Sequence, residues 1–415
     1  MDEAHGTAWL QSLSDQYEAY PYPHRDPVTD KDRPVRTTAN DLATIAHHLG
    51  GGRPLHGQGF RALVAGGGTG DATIHLALQL AEADPDGEVV HVDLSRASME
   101  IARARADVRG LGNIRFELFN LLDLTPDAFG TFDYVNCSGV LHHLPDPVAG
   151  LRALRGVLKP TGGMSVMLYG TYGRIGVYHL QDVLVRLAQD GDDLRDLVGL
   201  TRGLLASLTQ NAWLVRKAGP GPDARSPDAE IVDKYLHPHD KPFTVPEIFA
   251  ALEAAGLHFA GFIQSLWYDP LAVVTQGTIR ARIAAMAMPE RAALAEILNG
   301  VALDKHMFFA AVATPPAPPD PLDDATCPVL VLDPQVLEKP QVGLRGPRQA
   351  IIRSPALDIL RAIDGTRSVG ALRERMLGDG LYPSAEAFNE AWRETYTDVN
   401  GRGLLMLAAR DRTAS

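Results

Sequence analysis

The chain has 415 residues, 45% of them apolar and 22% charged, enough for two or three cores at roughly 150 residues each. That balance excludes a disordered chain, and no uninterrupted apolar run reaches the roughly 18 residues of a membrane span. With 39 Lys plus Arg against 51 Asp plus Glu the formal charge is −12, so a partner recognised through its phosphates, bulk nucleic acid above all, is not expected. Two cysteines, Cys137 and Cys327, make no disulfide framework, and Met1-Asp2-Glu3 lacks the basic and apolar regions of a signal peptide. The expectation is a soluble protein of the reducing cytoplasm, with no membrane partner.

Residues 1–59 read as a helical start and then an ordered arm, because Pro21, Pro23 and Pro27 interrupt regular structure. Beyond residue 60, apolar runs at 61–65, 88–92, 114–119, 132–137 and 164–169 predict strands. Segments 72–82, 96–109 and 147–158 have helical spacing, each short enough for one right-handed crossover. The alternation predicts an α/β domain with a mostly parallel, Rossmann-like sheet over 60–314. Residues 173–217 carry only helical spacing, at 177–189 and 193–209, and predict an insertion on the sheet rim that shapes an acceptor pocket. Thr244-Val-Pro-Glu247 spells a capping box before Ile248, Phe249 and Leu252. Runs 258–263 and 307–313 supply two more strands.

A Pro-rich linker is expected at 315–326. Residues 327–415 then predict a small helix-rich, winged-helix-like domain, with a strand at 329–332, an element at 355–363, a turn at Asp364-Gly365, and helices at 369–376 and 385–400. Its 12 Lys/Arg against 11 Asp/Glu are scattered along the segment. Protein contact or dimerisation is therefore expected rather than DNA binding, and this domain and the insertion are the surfaces on which a homo-oligomer would form.

The chemistry concentrates in three places. Leu63-Val-Ala-Gly66-Gly-Gly68-Thr-Gly70-Asp71 lies where the first strand turns into the first helix, and glycines there admit a ligand close to the backbone. A dinucleotide fingerprint needs a small residue where Asp71 stands, which disfavours a nicotinamide oxidoreductase. Val89-Val-His-Val-Asp93 ends the second strand in a carboxylate placed to accept both hydroxyls of a ribose, or simply to cap the helix from Arg96. Phe132-Asp-Tyr-Val-Asn-Cys-Ser138-Gly-Val-Leu-His142-His143-Leu-Pro-Asp-Pro147 and Leu158-Lys-Pro-Thr-Gly162-Gly163 follow in order.

Together these motifs resemble those of the class I S-adenosylmethionine-dependent methyltransferases, closely over 60–170 and more loosely over 235–314. The resemblance implies a Rossmann-like methyltransferase sheet and S-adenosyl-L-methionine as cofactor. It places Gly66, Gly68 and Gly70 at the methionine part, Asp93 at the ribose, Leu94 at the adenine, Leu121 among the cofactor-binding residues, and Ser138 at the methyl end. Asn120 stands where the family usually has an Asp for the adenine amino group, and an amide oxygen still accepts that bond. Val64 replaces an acid often found two places before the first glycine, so the methionine ammonium must find other partners. The acceptor implied is an oxygen or nitrogen on a protein side chain or small molecule; the competing reading is a non-catalytic cofactor-binding regulator.

Tyr17, Tyr20, Tyr22 and Arg25 in the arm suit a lid, since aromatic faces and hydroxyl oxygens serve a sulfonium; the alternative is plain packing of the arm onto the sheet. His142, His237 and Tyr169 are the candidate bases for an acceptor that must shed a proton. No metal is expected, because no acidic or Cys residue completes a set with His142-His143, and His237, His239 and Asp240 also suit an ordinary turn. The segment Asp233-Lys-Tyr235-Leu-His237-Pro-His-Asp240 resembles part of bacterial methyltransferases with a regulatory region, some of which modify protein lysines, and places Tyr235 or His237 at the acceptor pocket.

Overall fold

The computed structural model describes residues 13–218 and 223–409; the acidic start and the rest of 1–12 lie outside them. The strands of the main sheet are β1 (Arg61–Ala65), β2 (Glu88–Asp93), β3 (Ile114–Leu118), β4 (Phe132–Ser138), β5 (Leu158–Tyr169), β6 (His258–Phe262) and β7 (Lys305–Ala311). They lie in the order β3-β2-β1-β4-β5-β7-β6. β1 to β5 are parallel, and β7 runs antiparallel to both β5 and β6. This is the Rossmann-like class I methyltransferase sheet that the motifs imply.

Alternation along each strand sends side chains to two cores. Leu63, Val135 and Val166 meet Leu151 and Leu154 on one face; Ala62, Val64 and Tyr134 meet Ile45, Leu76 and Leu80 on the other. The helices are set by local chemistry. Ser95 caps Arg96–Asp107 by accepting the Ser98 N–H at 3.0 Å, and Asp146 caps Pro147–Gly156 with proline at its start. Ahead of Val245–Ala255, the Glu247 carboxylate takes both the N–H and the hydroxyl of Thr244 at 2.8 Å. The chain leaves β1 toward β2 and β3 and returns to β4, so a crevice opens between the carboxyl ends of β1 and β4.

After β5 the insertion holds helices Ile175–Leu187, Leu194–Ser207, Trp213–Ala218 and Asp228–Tyr235. Val177, Leu184, Val198, Ile231, Val232 and Tyr235 share one apolar cluster, so the insertion runs past Lys217 to Tyr235. An eight-residue helix is too short for its period to register in the sequence. Residues 313–326 have no helix or strand.

Beyond them, strands Cys327–Leu330 and Leu405–Ala408 pair antiparallel, as do Val342–Leu344 and Ala350–Ile352. Helices Ala356–Ala362, Val369–Gly378 and Ala385–Asn400 close a separate core around Trp392 and Phe388. This unit is tied to the main sheet's flank: Leu407 N–H donates to His47 Nδ1 at 3.3 Å and Ala409 N–H to the Gly52 carbonyl at 2.9 Å. No helix among the described residues is long and apolar enough to cross a membrane.

Candidate functional site

The turn after β1 depends on glycine. Gly68 has φ 53°, and a Cβ there would stand 2.5 Å from the Tyr22 carbonyl oxygen, so bare backbone is what lets the arm lie across the turn. Gly70, at φ 98°, acts differently, since its Cβ would meet that of Ala102 at 2.9 Å. It seats helix Asp71–Ala83 against helix Arg96–Asp107.

A cavity of about 370 Å³ opens at the carboxyl ends of β1, β2, β4 and β5. Of the residues singled out by sequence, Gly66, Gly68, Asp93, Leu94, Asn120, Leu121, Ser138 and Tyr169 line it. Gly70, Tyr20, Arg25, His142 and His237 do not. Tyr20 packs on the helical insertion, and Arg25 grips Asp71 through Nε at 2.8 Å and a terminal nitrogen at 2.5 Å. The arm still forms one wall, through Tyr17, Tyr22 and Pro23.

At one end, Asp93 Oδ2 accepts the Gly68 N–H at 2.7 Å and Oδ1 accepts the Ser95 N–H at 2.8 Å. Ser95, not Asp93, caps the following helix, so the carboxylate serves the turn and the cavity. Burial raises its pKa, opposed by the N–H groups of Ser95 and Gly68. Asn120 Oδ1 accepts the Leu122 N–H at 3.1 Å, which already uses one of the two lone pairs expected to face an adenine.

The floor is a polar ladder that joins Tyr134, Asn136 and Ser138 of the Phe132–Ser138 motif to Ser165. The Tyr134 hydroxyl reaches the Ala39 carbonyl at 2.7 Å and Ser165 Oγ at 2.6 Å. Asn136 Nδ2 donates to Ser165 Oγ at 2.9 Å and to Ser138 Oγ at 3.1 Å. Asn40 and Asn136 both line the cavity, so the ladder sets the height of Ser138 beneath it.

At the other end the three candidate bases separate. His142 is fully buried, its ring 3.9 Å from that of Tyr169, and His237 stacks behind His143 at 3.6 Å. Burial drives the pKa of both histidines well down, and neighbouring His143 lowers each further. Neither reaches the cavity; His143 does. Tyr169 reaches it, but burial and then Asp233 push its pKa well up, which makes a poor proton acceptor.

Asp233, which sequence alone does not single out as a base, lines the same end and is 4% exposed. The Tyr17 hydroxyl donates to its Oδ1 at 3.0 Å and the Tyr169 hydroxyl to its Oδ2 at 3.3 Å. It opens the Asp233–Asp240 segment whose resemblance points to Tyr235 or His237 instead, and helix Asp228–Tyr235 brings it to the cavity only once the insertion has folded.

The expectation that no acidic residue joins His142-His143 is corrected. Donor atoms of His142, His143 and Asp240 lie within 4.8 Å of one another, because the chain after Asp228–Tyr235 returns beside them. Asp240 is also paired with Arg174 at 2.9 Å, with both side chains almost fully buried, so its charge is already balanced.

A family model described as "Methyltransferase domain" matches residues 63–164. An uncharacterized protein of Synechococcus sp. is 30% identical over 293 residues, 70% of this chain and 69% of that one. A demethylmenaquinone methyltransferase of Geobacillus kaustophilus is 38% identical over 112 residues, 27% of this chain and 45% of its own length. The match thus spans less than half of that enzyme. Among solved structures, PKMT2 from Rickettsia typhi in complex with AdoHcy superposes with a TM-score of 0.65 at 15% identity, covering 91% of this chain and 77% of that one. At that identity the likeness is one of fold.

Proposed function

The chain belongs to the class I S-adenosylmethionine-dependent methyltransferases, and from that premise we propose that it methylates an oxygen or nitrogen acceptor at the Tyr169 end of the cavity. The observation that supports this reading is continuity: one cavity runs from the Asp93 carboxylate past the Gly66–Gly68 turn to Ser138, Met167 and Tyr169. Its volume of about 370 Å³ lies in the range of small-molecule sites.

The residues present fit the cofactor. Asp93 would accept ribose hydroxyls, Leu94 and Leu121 would flank the adenine, and the Gly66–Gly68 backbone would meet the methionine part. Asn120 keeps one lone pair for the adenine amino group. S-adenosylmethionine supplies a methyl group already activated on a cationic sulfur, so the chain has only to align the partners and exclude water. Tyr17, Tyr22 and Pro23 provide that exclusion by covering the turn, held there by the Thr69 hydroxyl, which donates to the Pro23 carbonyl at 2.7 Å. Ser138 sits on its ladder at the transfer end.

Calorimetry with S-adenosylhomocysteine and with NADH tests the reading, using Asp93→Ala as the control. Saturable binding of the first, at least about tenfold weaker in the variant, is expected from the loss of hydrogen bonds to a charged group. No binding, or a preference for NADH, would overturn it.

A further inference from the structure

The buried groups around Asp233 do not balance in charge. Asp233 and Asp240 are both acids; among the described residues Arg174 is the one buried cation beside them, and it is committed to Asp240 at 2.9 Å. Its guanidinium also lies over the Tyr169 ring, 3.5 Å from the centroid. Burial lowers the pKa of His142, His143 and His237, which works against their carrying the missing charge; at His143 the Asp233 and Asp240 carboxylates oppose the effect. None of the ion pairs among the described residues includes Asp233, whose oxygens are met there by the Tyr17 and Tyr169 hydroxyls alone. Lys305 also lines the cavity, but it is an exposed residue. An ionised carboxylate so far from water is costly without a cation.

We propose that Asp233, with Tyr17 and Tyr169, forms a cation subsite that binds the methyl acceptor as a protonated amine and then takes its proton. This rests on the methyltransferase reading above and narrows its acceptor to an amine. The ammonium R–NH3+ gives one proton to the Asp233 carboxylate. The freed nitrogen lone pair forms the N–CH3 bond as the S–CH3 bond breaks, and the sulfur keeps that bond's electrons. The product is R–NH2–CH3+, and Asp233 later returns its proton to water. Burial, which raises the Asp233 pKa, makes the acid a better receiver of that proton. The tyrosine hydroxyls hold the carboxylate toward the cavity, and the net charge of −12 favours cationic partners.

Sinefungin tests this without knowledge of the acceptor, because it carries an amine on carbon in place of the methylsulfonium. Its affinity for the full chain is compared with those of S-adenosylhomocysteine and S-adenosylmethionine, in the unaltered protein and in Asp233→Asn. The expected result is a preference for sinefungin over S-adenosylhomocysteine of about tenfold or more, which Asp233→Asn erases, as for a lost hydrogen bond between charged groups. S-adenosylhomocysteine affinity should move by less than about threefold, which also reports that the variant is folded; Tyr169→Phe should reduce the preference in part. A sinefungin preference that survives in Asp233→Asn overturns the proposal. So does a loss of S-adenosylhomocysteine affinity in the variant, which would assign Asp233 to the cofactor's own ammonium, or an equal preference for S-adenosylmethionine, which would assign it to the sulfonium. If the unaltered protein binds none of the three, the methyltransferase reading itself fails.

Discussion

Replacing Arg25 by Ala tests whether the arm is part of the cofactor site. Arg25 does not line the cavity, so its removal deletes no ligand contact there. It grips Asp71 with two bonds at 2.8 and 2.5 Å, and their side chains are 26% and 18% exposed. A bidentate pair of charged groups in such a half-wet setting is worth about 1–2 kcal/mol, below a dry pair and above a fully exposed one. Asp71 is not orphaned by the change, because Arg105 still reaches it at 2.9 Å. Apparent affinity falls with the fraction of molecules whose arm is closed, so about 1–2 kcal/mol sets a ceiling of roughly 5- to 30-fold on the loss. Other ties, from Thr69 to Pro23 and from Ser95 to the Tyr17 carbonyl at 3.0 Å, keep the effect under that ceiling. The assay pairs calorimetry of S-adenosylhomocysteine with hydrogen exchange across residues 13–36. Faster exchange together with weaker binding is expected, and Arg25→Lys, which cannot form the fork, should recover only part of each. Faster exchange with affinity unchanged within about twofold would refute the lid and leave the arm as packing.

Two further outcomes concern stability. Tyr134→Phe removes a buried hydroxyl that serves the Ala39 carbonyl, Asn40 and Ser165, and should cost about 1–3 kcal/mol; a urea midpoint within error of the unaltered protein would show the ladder carries no load. Burial pushes His48 and His91 down to about 3 and His75 down to about 4. An unfolded histidine takes its proton near pH 6.5 and these folded ones do not, so the stability they contribute is complete above about 6.5 and drains away as pH falls toward about 3. At about pH 5 each forfeits about 2 kcal/mol. Urea titrations at about pH 7.5 and about pH 5 should differ accordingly, and His48→Phe should remove one such forfeit of about 2 kcal/mol from the difference; equal stability at the two pH values would contradict the burial argument.

The parallel sheet was legible because strands such as β1 and β4 are short, largely apolar runs closed by a turn signal. Arg61–Ala65 ends at Gly66 and Phe132–Ser138 ends at Gly139, and both faces of these strands are covered, so the runs are continuous rather than alternating. Helix Asp228–Tyr235 was illegible for the opposite reason. It is two turns long and lies beyond the stretch whose spacing marks the insertion. Its start has no side-chain cap, and its apolar residues acquire a partner surface only when Ile175–Leu187 and Leu194–Ser207 pack beside it.

The candidate site divides along the same line. Residues within a motif, such as Asp93 beside Gly68, could be placed because strand end and turn are adjacent in the sheet whatever follows. Residues of the transfer end come from four separate segments: Tyr17 from the arm, His143 from the short helical turn after β4, Tyr169 from the end of β5, Asp233 from the insertion. Spacing holds no record of their meeting. Chemistry alone left His142, His237 and Tyr169 as candidate bases, the histidines because imidazole titrates near neutrality when it is wet. The fold reverses that choice: it buries His142 and His237 behind Tyr169 and His143, out of the cavity, and brings to its wall an acid held by two tyrosine hydroxyls. Burial thus acts in opposite senses on the two residue types, disabling the imidazoles as bases while giving the Asp233 carboxylate a stronger hold on a proton.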